Sequence, residues 1–114
     1  MKQFRLAPSE LRPLATGFGS CIASDEITVG GHRVGYAYRE MPDGDTDSGW
    51  RFFSGSESQA YTDDPDNFSI YDINTIANYD PTITELLEAP VGSAFARNEN
   101  GLFVQEAYPD EPDA

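Results

Sequence analysis

The chain has 114 residues, enough for one domain with a core of its own, and a formal net charge of −13, from 20 Asp and Glu against seven Lys and Arg. Its 12% content of aromatic residues excludes a disordered chain, and its excess of carboxylates disfavours nucleic acid or an anionic membrane as a partner, because both are negatively charged. The acidity favours a basic partner through long-range attraction, although solubility or a salt-adapted cytoplasm would favour the same composition.

Residues 1–16 are predicted to form an irregular lead-in, since Pro8 and Pro13 leave room for one helical turn at most. Lys2 and Arg5 are followed by no apolar segment of the kind found in signal peptides. No stretch of the sequence approaches the roughly 20 apolar residues of a membrane span. We therefore expect no signal peptide, no membrane span and a cytoplasmic location.

Three strands are predicted in the first half of the domain. The apolar run 20–24 is the first. The second, 34–39, alternates with a period of two and carries its two tyrosines on one face. The third is the aromatic segment 50–54, and the polar loop 42–49 before it is short enough to pair it with the second strand as a hairpin.

An acidic, loop-like segment at 55–67 comes next, in which one helical turn is expected at 56–61. Asp72 is then suited to cap a short helix over 72–78, because its carboxylate would accept hydrogen bonds from the first free N–H groups. This stretch is the least regular part of the predicted domain.

Asp80, followed by a proline at the first helical position, gives a clearer start signal and predicts a helix over 82–88. Ile83, Leu86 and Leu87 are spaced three and four residues apart, so they share one apolar face. We expect this face to pack against the sheet.

Two more strands, at 93–97 and 102–107, surround an Asn-Gly pair that is typical of a hairpin turn. Together these elements predict an α+β fold with a small, mostly antiparallel sheet of four to five strands and one or two short helices on one face. The domain is predicted to span 17–108, followed by an acidic tail at 109–114.

No catalytic, metal or cofactor site can be assembled from the sequence. Cys21 and His32 lack the neighbours that a thiol nucleophile or a zinc site requires. The alternating carboxylates from Asp43 to Asp47 resemble the start of a calcium loop, but serines stand where the EF-hand pattern needs Gly and a bidentate Glu. We therefore predict no enzyme, no cofactor and no tight calcium site.

The predicted partner-binding surface combines aromatic side chains with two acidic loops, 43–47 and 63–66, that flank the strand containing Trp50. Trp and Tyr beside carboxylates are typical of interface anchors. An exposed Trp50 would be such an anchor, whereas a buried Trp50 would belong to the core. The predicted contact residues are Asp43, Asp45, Asp47, Trp50, Glu57, Tyr61, Asp63, Asp64 and Asp66.

Several segments match the pattern of one bacterial family, most specifically DSGWRFFSG at 47–55 and NTIANYDP at 74–81, with SCIAS, VGYAYRE, DPDN and PVGSAF. On these segments the chain resembles family twenty-one eighty-five of the domains of unknown function, also classed as immunity-protein family thirty-three. The resemblance implies a protein that binds and neutralises a cognate toxin in the producing cell. It implies no catalytic residues. The acidity agrees with it, because many such toxins are basic nucleases.

Two functions therefore remain open. The first is an immunity-type protein that neutralises a toxin by stoichiometric binding, with a basic protein as the expected partner. The second is a housekeeping or accessory domain that binds a small molecule or a metal through the DSGW region and its acidic neighbours. A gene for a secreted toxin directly upstream would favour the first.

Overall fold

Six strands form one sheet in residues 2–109, the part of the chain that the computed structural model describes; residues 110–114 of the predicted acidic tail lie outside it. The strands are β1 (Ser20–Ser24), β2 (Tyr36–Arg39), β3 (Asp47–Phe53), β4 (Phe68–Asp72), β5 (Ala94–Arg97) and β6 (Phe103–Glu106). Their order across the sheet is β4-β1-β3-β2-β5-β6. The α+β class is confirmed, but the predicted sheet of four to five strands is too narrow.

Both predicted hairpins are present. β2 pairs antiparallel with β3, with Ala37 opposite Phe52, and β5 pairs antiparallel with β6, with Ala96 opposite Val104. β2 and β5 are antiparallel neighbours, whereas β1 runs parallel to β3 and makes the sheet mixed. The unpredicted strand is β4, which pairs antiparallel with β1 and forms one edge.

Short helices join these strands in the described part of the chain: α1 (Asp25–Thr28), α2 (Gln59–Thr62) and α3 (Ile73–Tyr79), with 3-10 turns at Pro8–Glu10, Pro65–Asn67 and Pro81–Glu85. The cap predicted at Asp72 is confirmed, since its side chain accepts a hydrogen bond from the N–H of Asn74 at 2.8 Å. The helical turn expected at 56–61 is shifted slightly along the chain and is α2.

The predicted helix over 82–88 is corrected by the structure. Asp80 does cap it, accepting a hydrogen bond from the N–H two residues later at 3.1 Å. The segment is nevertheless a 3-10 turn, Pro81–Glu85, in which hydrogen bonds join residues three apart, as between the N–H of Leu86 and the carbonyl of Ile83 at 2.8 Å. This tighter winding suits a short connection that must turn back into the sheet.

The core lies on one face of the sheet, where α3 and the Pro81–Glu85 turn contribute to it. Side chains alternate along the strands, so Ala23 of β1, Phe52 of β3 and Ala37 of β2 lie in one row and all are buried. The lone Cys21 is buried on the same face. The opposite side, which we call the open face, carries partly exposed apolar side chains: Ile22, Tyr36, Tyr38, Phe53 and Phe68.

The lead-in is tied to α3 by two asparagines of the NTIAN segment. The side-chain oxygen of Asn74 accepts hydrogen bonds from the N–H groups of Leu14 and Ala15, at 2.7 and 2.8 Å. The oxygen of Asn78 accepts one from the N–H of Arg12, also at 2.8 Å. These amides satisfy backbone donors that an irregular segment would otherwise leave without partners.

Leu86→Ala is expected to lower the free energy of unfolding by about 3 kcal/mol, because Leu86 is 3% exposed and its removal leaves a cavity. Its predicted partners on this face, Ile83 and Leu87, are also buried. The measurement is urea unfolding followed by circular dichroism. Leu14→Ala, at a leucine that is 45% exposed, is the control and should cost under about 1 kcal/mol. Equal losses in the two variants would contradict the assigned packing.

Candidate partner-binding surface

The DSGW segment is the start of β3 and forms a bulge there. Ser20 of β1 is opposite Asp47, but Ile22, two residues on, is opposite Arg51, so β3 carries two extra residues at this point. Gly49 has a φ of 91°, and a Cβ on it would collide with the carbonyl of Glu40. The predicted loop 42–49 is therefore wrong at its end, because the bulge lets these polar residues and a glycine enter the strand.

Asp47 is already paired within the protein. Its two carboxylate oxygens accept hydrogen bonds from the guanidinium of Arg51, at 2.8 and 3.0 Å, and Arg51 also pairs with Glu40. The Arg51 side chain is only 6% exposed, so this charge is shielded from solvent. The hydrogen bonds from Arg51 lower the pKa of Asp47 well below its usual range, against the opposing effect of burial. Asp47 thus stabilises the fold and is not a free surface charge.

Acid is expected to weaken the fold through Asp47. Its pKa is lower in the folded chain than in the unfolded chain, where it is about 3.9, so the unfolded chain takes up the proton first as the pH falls. The contribution of Asp47, about 2 kcal/mol, is therefore complete near neutral pH and is lost as the pH drops below about 4. Asp47→Asn should show a flatter dependence of unfolding free energy on pH over this range. Asp45→Asn, which makes the same change in the exposed loop, is the control.

Trp50 is buried, which decides between the two roles considered for it. Its side chain is 0% exposed and stacks on Phe52, with ring centroids 5.8 Å apart. The indole N–H points to the carbonyl of Leu87 at 3.4 Å, and the guanidinium of Arg39 lies 5.9 Å from the ring centroid. The inclusion of Trp50 among the contact residues is therefore corrected: it faces the core because it alternates with Arg51 along β3.

The two acidic loops lie at opposite ends of β3. Asp43 and Asp45 precede its first residue. The loop 63–66 leads into β4, whose Phe68 pairs with Ser24 at the far end of β1. A seven-residue strand spans roughly 20 Å, so the loops flank β3 end to end and do not form one continuous patch. At the second end, Tyr61 lies in α2, just before Asp63, Asp64 and Asp66 in the chain, and it is close enough to Glu57 for the charge of that carboxylate to act on it.

The carboxylates of this second group differ in their surroundings. Asp63 accepts a hydrogen bond from the Gln59 side chain, and Asp64 caps the Pro65–Asn67 turn; both are exposed, as is Asp66. Glu57 is half-buried and accepts hydrogen bonds from the N–H groups of Ser54 and Gly55, at 2.8 and 3.0 Å. Burial alone would raise the pKa of Glu57, but hydrogen bonds, chiefly from the Ser54 N–H and the Ser24 side chain, outweigh it and leave the pKa lowered.

A chain of aromatic contacts crosses the open face. Tyr38 stacks on Phe53 with ring centroids 5.8 Å apart, Phe53 meets Phe68 at 5.7 Å, and Phe68 meets Tyr61 at 6.0 Å. We call the whole set the aromatic face: Tyr36, Tyr38, Phe53, Tyr61, Phe68 and Tyr108. Of these six residues, the sequence analysis had placed only Tyr61 among the predicted contact residues. The alternation of Tyr36 and Tyr38 in β2 was the signal for the others.

A groove of about 540 Å³ lies within this face. Tyr36, Tyr38 and Phe53 line it together with the loop that carries Glu57. Glu106, opposite Ala94 at the neighbouring edge, is close enough that its charge, after burial, helps to raise the pKa of Tyr36. The groove therefore has aromatic walls and negative charge beside it.

Comparison with known proteins gives one match. The model of the Immunity protein Imm33 domain matches residues 21–107. The chain belongs to this family. Searches of curated proteins and of solved structures each gave no match. In residues 2–109, no helix is long and apolar enough to cross a bilayer, and no three His, Cys, Asp or Glu side chains are grouped to hold a metal ion.

In this Imm33 domain, side chains of the DSGW and NTIAN segments stabilise the fold. Ser48 donates a hydrogen bond to the carbonyl of Ser20 at 2.6 Å and accepts one from the N–H of Trp50, while Asp47 and Trp50 are engaged as described. Asn74 fixes the lead-in. These side chains are committed to the domain itself, whereas the rings of the aromatic face remain at least partly exposed.

Proposed function

We propose that this member of the Imm33 family neutralises a cognate toxin by stoichiometric binding in the cytoplasm of the producing cell, and that it catalyses no reaction. The observation that carries the proposal is the aromatic face, a connected set of partly exposed rings on the side of the sheet opposite the core. Family membership supports a toxin as the kind of partner.

The chemistry of the aromatic face supports protein binding in particular. Tyrosine is enriched among residues that dominate binding energy, because it buries a large ring at little entropic cost. Tyr36 and Tyr38 are both half-exposed, and the exposed Ile70 and Val104 extend the apolar surface towards the two edges of the sheet. Covering such an apolar surface with a partner removes it from water, which favours binding.

The charge distribution supports a basic partner. Among the arginines of the described strands, Arg51 is the one whose position in its strand places it on the open face, and it is paired with Asp47 and Glu40. Arg97, which lines the groove, is paired with Asp80. The net charge of −13 would accelerate encounter with a basic toxin. The alternative, a small molecule or metal bound through DSGW, gains no support from Asp47, Ser48 and Trp50, which are committed to the fold.

The test is capture of the partner from the native cell, followed by binding kinetics with the purified toxin. Tyr38→Ala is expected to speed dissociation at least about 30-fold, as for a central aromatic anchor. Phe4→Ala is the matched control, because Phe4 is 47% exposed but packs on Tyr71, on the core side of the sheet. Its dissociation rate should stay near that of the wild type.

The acidic loops should affect the association rate, in contrast to Tyr38, which should affect the dissociation rate. Asp43→Asn with Asp45→Asn is expected to slow association about threefold to tenfold at low salt and to flatten its salt dependence. Glu85→Gln with Glu88→Gln removes the same net charge from the Pro81–Glu85 region and should have a smaller effect. Capture of no protein, or a toxin whose activity is unchanged by an equimolar amount of this protein, would contradict the proposed function.

A further inference from the structure

The groove in the aromatic face has an unbalanced charge. Two of its lining residues are ionic, Glu57 and Arg97. The guanidinium of Arg97 is fully engaged elsewhere: it pairs with Asp80 at 2.6 Å, donates to the carbonyls of Val34 and Gly101, and lies over the ring of Phe103. Its side chain is only 7% exposed, so Glu57 remains as the charge that the groove presents.

Glu57 is held in place but not neutralised. Its two oxygens accept hydrogen bonds from the backbone N–H groups of Ser54 and Gly55, and the side chain of Ser24 acts on the carboxylate as a further hydrogen-bond partner. These donors orient the carboxylate, but none of them is a cation. Within residues 2–109, no Lys or Arg forms an ion pair with this carboxylate.

The walls beside Glu57 are suited to a flat cation with an apolar stem. Tyr36 and Tyr38 lie with ring centroids 6.1 Å apart, and both contact the ring of Phe53, at 6.0 and 5.8 Å. Aromatic faces attract cations, and guanidinium both stacks on rings and pairs with carboxylates through two parallel hydrogen bonds. Lysine carries only a point charge and lacks this fork.

From these observations we infer that the groove receives an arginine side chain of the bound protein, with its stem along Tyr36, Tyr38 and Phe53 and its guanidinium on Glu57. The inference rests on the proposed function for its partner, but the groove itself is tested without one. The chemistry it selects is a planar, positively charged side chain on the toxin surface.

The direct test uses two capped amino acids that differ in charge and share a shape. N-acetyl-arginine amide should bind with a dissociation constant on the order of millimolar and shift the amide resonances of Gly35, Gly55 and Glu57. N-acetyl-citrulline amide, which is neutral, should bind at least about tenfold more weakly. Equal shifts with the two probes, or arginine-induced shifts confined to residues outside the groove, would overturn the inference.

Variants locate the site. Glu57→Gln should weaken arginine binding about tenfold, whereas Glu85→Gln, which removes an equal charge from an exposed position elsewhere, should not. Because Glu57→Gln also disturbs the hydrogen bonds to Ser54 and Gly55, Thr62→Arg is the second variant. It leaves Glu57 intact and supplies a competing cation from the groove wall, so it should also weaken arginine binding, and Thr62→Gln should not. Unchanged binding in Thr62→Arg would count against the site.

The toxin separates this inference from the proposed function. If the protein neutralises a toxin and Thr62→Arg leaves both neutralisation and the dissociation rate unchanged, the arginine groove is wrong while the proposed function stands. If the groove binds arginine selectively but no toxin is neutralised, the proposed function fails while the site is retained as a guanidinium-binding groove.

Discussion

Asp80→Ala is expected to lower the free energy of unfolding by about 3 to 5 kcal/mol, the cost of leaving a buried charge without its partner. Asp80 is 5% exposed, and one of its oxygens accepts hydrogen bonds from the guanidinium of Arg97 at 2.6 Å and from the N–H of Val34 at 2.9 Å. The other oxygen caps the Pro81–Glu85 turn. This one carboxylate therefore joins β5, the segment before β2 and the turn that covers the core.

The measurement is urea unfolding monitored by circular dichroism. Asp80→Ala combined with Arg97→Met is the informative control, because it removes both charges and should recover part of the loss. Asp80→Asn should fall between the wild type and the alanine variant, since it keeps an oxygen for the cap. A loss below about 1 kcal/mol in Asp80→Ala would show that the pair is solvated and that the buried network is wrongly described.

Trp50→Ala is expected to cost about 4 kcal/mol of stability, in the range for removing a large buried aromatic side chain. The reason is its complete burial against Phe52 and Phe95. Trp50→Phe keeps a ring in the site and should cost roughly half as much. The readout is again urea unfolding, with toxin binding measured in parallel under conditions where each variant is folded.

The outcome distinguishes core from interface. A folded Trp50→Phe should dissociate from the toxin at the wild-type rate, because the indole is fully buried and does not reach the protein surface. A variant of normal stability that dissociates many times faster would mean that Trp50 reaches the partner after all, and would contradict the structure.

Local chemistry made much of the fold predictable. Asp72 and Asp80 mark the starts of their turns by capping, which depends only on neighbours in sequence. The strand at Ser20–Ser24 and the two hairpins follow from apolar periodicity and short connections. These signals depend on residues that are close together in the sequence, so tertiary packing does not override them here.

The features that sequence reasoning missed depend on distant partners. β4 is an edge strand whose Ile70 is 73% exposed, so it shows little of the apolar alternation that a half-buried strand requires. The parallel pairing of β1 with β3 joins segments separated by β2, and nothing in either segment encodes it. The bulge at Gly49 resembles a turn in sequence, because glycine at positive φ occurs in bulges and in turns alike.

The candidate site was partly predictable for a related reason. β3 is aromatic on both faces, with Trp50 and Phe52 on one and Phe53 on the other, so its pattern did not tell which side was the core. Glu57 and Tyr61 were named from composition and lie at the aromatic face. The separation of the acidic loops follows from strand direction, which sequence spacing does not give.

The position of Cys21 determines how readily this protein reacts with oxidants. Its thiol is fully buried in β1, which is hydrogen-bonded to β3 on one side and β4 on the other, and burial raises its pKa. A thiol that is neither ionised nor accessible is a poor nucleophile, so the folded protein resists alkylation, sulfenic acid formation and disulfide cross-linking between copies. Only a chain whose core has opened offers this sulfur for reaction, so thiol modification marks the molecules that have lost their fold.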